Sequence, residues 1–146
     1  MDYRDRVRAN TAPEVNARID EDTDARIRHY ASCSIAAISR RIEELESEWD
    51  MERWLEGNAS ALALSGVALA ALHDRRWLIL PAVVLGLLLE HALHGWCPPV
   101  PVLRRLGVRT RKEIERERYA MKALRGDFAA VLHPPAPEAA IVAVKR

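Results

Sequence analysis

Residues 57–72 and 77–89 carry almost no charge, and only a short polar stretch, His73, Asp74, Arg75 and Arg76, stands between them. Two apolar runs so close together predict two antiparallel helices joined by a tight turn, a transmembrane helical hairpin. The first run, residues 58–72, is short against the about 20 residues that a span needs. Trp54 and Leu55 lengthen it at one end, and the turn's arginines, by snorkelling, at the other. The second, from Trp77 to about Trp96, reaches roughly 30 Å, with Pro81 in its first turn, where a proline is tolerated. Gly66 with Ala70, and Ala82 with Gly86, form small-residue pairs one turn apart, which let helix backbones approach closely. The competing reading is a hairpin buried inside a soluble helical bundle.

Thr11, Ala12, Pro13 and Glu14 predict a helix start, a capping box with proline in the first turn. A short helix follows it, and the acidic run at residues 21–24 reads as a break or a second cap. From there Ile27, Ala31, Ile35, Ile38, Ile42, Leu45 and Trp49 recur at spacings of three and four, a coiled-coil-like seam. Arg40, Arg41, Glu43, Glu44, Glu46 and Glu48 lie opposite it. Such a seam needs a partner, either the chain's own C-terminal helix or a second protomer. After the hairpin, Pro98, Pro99 and Pro101 predict an extended turn, and Thr110 with Glu113 opens a helix that Gly126 stops near Arg125. The Arg125, Gly126 and Asp127 tripeptide reads as the end of that helix.

The expected fold is all-α, with a two-helix transmembrane hairpin between an N-terminal amphipathic cytoplasmic helix and a short C-terminal cytoplasmic helix. Its parts are an N-terminal helical region (1–56), the hairpin (57–97), a proline-rich turn and helix (98–126), and a flexible tail (127–146). The 22 basic and 21 acidic residues nearly cancel, leaving +1 over 146 residues, which argues against nucleic acid as a partner. Charge matters locally instead: arginines flank the hairpin on both sides and outnumber the two in its turn, so both termini are expected in the cytoplasm. Trp77 falls at one membrane interface, Trp54 and Trp96 at the other. The polar N-terminus lacks the apolar core of a signal peptide. Cys33 and Cys97, in different elements, predict free thiols rather than a disulfide.

Glu90, His91, His94 and Cys97 gather where the second run ends, and ionisable residues at that depth are functional candidates. One reading is a metal site or a reactive thiolate, because His and Cys ligate zinc or copper and an imidazolium lowers a thiol's pKa. The other pairs Glu90 with His94 one turn apart and packs Cys97 as a small apolar residue; the helix C-terminus also disfavours a thiolate. Cys33 shows no activating partner and reads as a packing residue. Hydrolase and nucleotide-binding motifs are missing, so no enzyme and no cofactor are expected.

Gly95, Cys97 and Pro98, followed by Leu106, Gly107 and Thr110 directly after a hairpin, resemble the YgaP-type inner-membrane domain family, in which a Gly-x-Cys-Pro motif precedes Leu-Gly-x-x-Thr. The resemblance covers about residues 50–112. It implies a small protein of the bacterial inner membrane that associates as dimers; some members are fused to a rhodanese sulfurtransferase, which this chain lacks. The resulting expectation is a non-enzymatic module in the lipid bilayer, self-associating or a subunit of a larger membrane complex, with Ile27, Ile35, Ile38, Ile42, Leu45 and Trp49 as its contact. The alternative is a sulfur relay through Cys97.

Overall fold

A computed structural model describes residues 5–129, and these are all-helical, with no strand among them. The helices are α1 (Arg6–Ala9), α2 (Pro13–Tyr30), α3 (Ile35–Ser47), α4 (Met51–Leu72), α5 (Ile79–His94), α6 (Pro99–Arg105) and α7 (Arg111–Arg125). They form two compact units, one from residues 5–19 with Trp49–Arg111, the other from Asp20–Glu48 with residues 112–129. Most of the expected tail, residues 130–146, lies outside the described residues, as do the first four.

The first unit is built on the hairpin. Asp50 caps α4 by accepting from the Arg53 amide at 2.8 Å, so the helix begins ahead of the apolar run. Its 22 residues give about 33 Å, which supplies the length that residues 58–72 alone lack. At the turn, Asp74 accepts from the Arg76 amide at 2.7 Å and starts one 3-10 turn, Arg75–Leu78. Trp77 therefore sits in that turn, ahead of α5. Only one of the two small-residue pairs lies at the helix contact. A Cβ on Gly66 would stand 2.5 Å from Pro81 Cδ, whereas one on Gly86 would meet nothing within 4 Å, and Ala82 is also exposed. The facing positions of α5 are Pro81, Val84 and Leu88, which places residues 82 and 86 on its outer side.

The proline run forms a helix, contrary to the extended turn expected of it. Pro98 is the N-cap of α6 and Pro99 occupies its first position, where a missing N–H leaves no intrahelical bond unmade. The Val100 amide still reaches the Cys97 carbonyl at 2.9 Å. Beneath α6 lies a core of Val7, Met51, Leu55, Cys97 and Val100. Against the end of α5 sits α1: Arg6 Nη1 donates to the carbonyls of Ala92 (2.8 Å) and Leu93 (3.0 Å), and Asn10 Nδ2 to that of His94 (3.1 Å). A guanidinium and an amide thus satisfy carbonyls that α5 leaves open, at the negative end of its dipole. Arg104 is fully buried, donating to Asn16 Oδ1 at 2.7 Å and to the Val108 carbonyl at 3.1 Å.

The second unit settles the seam's intramolecular part. Ile38, Ile42 and Leu45 of α3 pack with Ile114 and Met121 of α7, and Ile27 and Tyr30 flank them. These residues are covered within one chain, so they are not a free surface for a second protomer. The seam is also interrupted, because α2 ends at Tyr30 and Ser34 caps a new helix by accepting from the Ala37 amide. Ile35 is 66% exposed, and Trp49 belongs to the other unit, edge-on to Trp54 with the Arg53 guanidinium 5.1 Å from its ring.

The acidic run at residues 21–24 does not break α2. Arg116 pairs with the run's Asp24 at 2.8 Å and with Asp20 just before it at 3.1 Å, and Arg26 donates to Thr23 Oγ1 at 3.1 Å, so the helix continues through them. Between the helices Glu117, with no exposed side-chain surface, accepts from Arg26 (3.2 Å) and Arg41 (2.9 Å). Gly126, at φ +88, ends α7, and Arg125 turns back to bond Asp127 and Ser39, so the Arg-Gly-Asp tripeptide is a closed helix end.

Candidate functional site at the open end of the hairpin

Glu90, His91 and His94 lie on the last turns of α5, and Cys97 follows it. His94 Nδ1 stands 2.9 Å from Glu90 Oε1, and both side chains are about half exposed or more. The neighbouring His91 has a buried Nδ1 without a hydrogen-bond partner. Cys97 leaves the helical row that Glu90 and His94 share. A continuing helix would keep it on the face of Glu90 and His94, but α5 stops at His94 and Gly95 adopts φ +75. That left-handed residue redirects the chain, and Cys97 enters the core beside Val7 and Met51 at 5% exposure. Among the described residues no three His, Cys, Asp or Glu side chains stand close enough to hold a metal ion.

Cys97 lies beyond the end of α5, and burial pushes its thiol up from the ordinary value. The neutral form is favoured in the fold, so the stability this gives is complete below the unfolded thiol's pKa and is lost as pH rises through the folded one. In a Cys33→Ala chain, the rate of maleimide labelling at Cys97 should reach half its plateau at a higher pH than a free thiol, whose midpoint lies at about 8.5. A midpoint at or below that pH would contradict the burial argument. Cys33 does have a neighbour, contrary to the sequence reading: its Sγ lies 3.8 Å from His29 Nε2, one helical turn earlier.

Five of the six motif residues have legible structural tasks. Gly95 takes a positive φ beside Arg6, whose Cβ would stand 2.4 Å from any Cβ placed there. Cys97 fills the core, Pro98 caps α6, and Gly107, at φ +90, follows the end of that helix. Thr110 is buried and its hydroxyl donates to Asp5 Oδ2, while Leu106 is 76% exposed. Together they turn the chain out of α5 and back towards Met51, whose amide donates to the Arg109 carbonyl at 3.0 Å.

Sequence reading did not find the groove that this turn creates. Between α4, α5 and α6 lies an apolar cavity of about 370 Å³, lined among others by Trp54, Leu55, Leu62, Leu87, Cys97 and Leu103. Asn58 contributes a side-chain amide to its wall, and that amide already donates to the Trp54 carbonyl at 2.7 Å. A feature assembled from three elements has no signal in any one of them. Compared with family models, curated proteins and solved structures, the chain matches none.

Proposed function

We propose that this chain is a non-enzymatic protein of the bacterial inner membrane, of the YgaP-like hairpin type, with both termini cytoplasmic, acting as an interaction module. One observation carries the reading. The segment ending at Leu72 and the Arg75–His94 segment are both long and apolar enough to cross a membrane, yet only 11% of each apolar window is buried in the fold. Leu64, Leu72, Ile79 and Leu89 are each more than 60% exposed. In water so much contiguous apolar surface would drive aggregation, whereas in lipid it meets hydrocarbon. The half-exposed Trp54, Trp77 and Trp96 stand towards the hairpin's two ends, as interfacial anchors do.

The partner is a second copy or another subunit of a membrane complex, and the covered α3 seam moves the contact to the outward faces of the hairpin. A sulfur relay has less support, since Cys97 is only 5% exposed and packs with Val7 and Met51. The full chain is expected in the membrane fraction, resistant to alkaline extraction, and larger than a monomer in mild detergent. Recovery in the soluble fraction would overturn the membrane reading; a monomer with nothing co-purifying would overturn the interaction role.

A further inference from the structure

We propose that the groove between α4, α5 and α6 holds one acyl chain of a bilayer phospholipid. The inference rests on the membrane reading and adds a specific lipid site to it. Near the turn, Gly66 lets the two helices touch at Pro81. Towards the open end the facing residues are larger, and α6 closes the space from one side with Pro99 and Leu103.

The chemistry of the walls selects the occupant. They are apolar apart from Asn58, one of whose amide N–H groups is taken by the Trp54 carbonyl, so a polar or charged ligand would lose most of its own hydrogen bonds on entering. At about 370 Å³, and taking each methylene to need about a water's share of roughly 30 Å³, the groove accepts a single chain of about a dozen carbons. The same volume holds less than one turn of an α-helix, which at about 10 Å across and about 5.4 Å of pitch displaces roughly 420 Å³. The groove is continuous with the surface that lipid would cover: Leu62 and Leu87 line it and are also 50% and 36% exposed. A lipid chain therefore enters sideways from the bilayer. Trp54, at the mouth and 39% exposed, suits the level of the headgroups, which stay outside.

Cys97 in the wall provides the reporter. The full-length Cys33→Ala chain, recovered from membranes, would be delipidated in mild detergent and given palmitoyl-oleoyl phosphatidylethanolamine. Native mass analysis should find one lipid retained per chain, and the lipid should slow maleimide labelling of Cys97. Ala59→Trp, filling the groove, should weaken retention roughly tenfold and abolish the protection. Leu103→Trp should do the same where Ala59→Trp fails to fold, and Ser60→Trp, outside the groove, should behave as the parent. Unchanged retention in both groove variants, or Cys97 labelling indifferent to lipid, would overturn the site while the membrane location stands. A dimer that Ala59→Trp dissolves, with no lipid retained by the parent, would overturn it in favour of a second copy. Recovery of the parent from the soluble fraction would instead remove the membrane reading itself.

Discussion

Replacing Glu117 with alanine should destabilise the second unit by about 3 kcal/mol, the lower end of what breaking a buried ion pair costs. The carboxylate has no exposed surface and holds two guanidinium groups, Arg26 at 3.2 Å and Arg41 at 2.9 Å. Without it two guanidinium groups border a cavity, Arg41 keeping its pair with Glu44 at 3.0 Å and Arg26 its bond to Thr23. Arg26, 35% exposed, can turn towards water, which keeps the loss below the upper end of the range; Arg41, 16% exposed, has less freedom. Arg116→Ala is the fitting comparison, since its pairs with Asp20 and Asp24 are exposed and should be worth under about 1 kcal/mol. Amide hydrogen exchange of α3 and α7 reads both. Equal effects of the two substitutions would show that burial of Glu117 does not set the energetics.

Gly66→Leu should open the hairpin. Even a single Cβ at residue 66 would press on Pro81 Cδ at 2.5 Å, and the proline ring cannot rotate away. Overpacking of this kind costs about 1–3 kcal/mol, and a whole leucine forces the helices apart. Gly86→Leu introduces the same side chain where nothing lies within 4 Å, so its hairpin should stay closed. Thermal unfolding in detergent, followed by helical circular dichroism, should give a lower Tm for the first variant than for the second. A Gly66→Leu chain that melts like the parent would place the helix contact elsewhere.

How far these features could be read in advance depended on the range of the interaction that decides each one. Helix existence was legible where the period was long, and the two apolar runs became α4 and α5. Local chemistry also located the end of α7, because Gly126 needs only its own positive φ. The caps show the limit. Helices begin at Pro13 and Arg111, just after the marked Thr11 and Thr110, but Thr110 Oγ1 also donates to Asp5, a partner that only tertiary folding supplies. Likewise residues 21–24 break a helix only when their charges are unmatched, and Arg116 is far away in sequence.

The candidate site divided along the same line. The Glu90 and His94 pairing follows from a spacing of four within one helix. The departure of Cys97 depended on a single residue, Gly95, whose left-handed turn a spacing argument treats as three more helical positions. The seam's periodicity said that α3 had an apolar face, and did not say that Ile114 and Met121 would cover it.

The closure of α5 by Arg6 and Asn10 joins residues more than 80 positions apart. On a ribosome, which makes the chain from its N-terminus at about 5–20 residues per second, the segment that finishes the second helix is made first and waits several seconds for its target. Until then the last carbonyls of α5 have no cap. The docking of α1 onto the end of α5 is consequently a late, high-contact-order step, whereas the hairpin itself closes through a short local turn and can form before it.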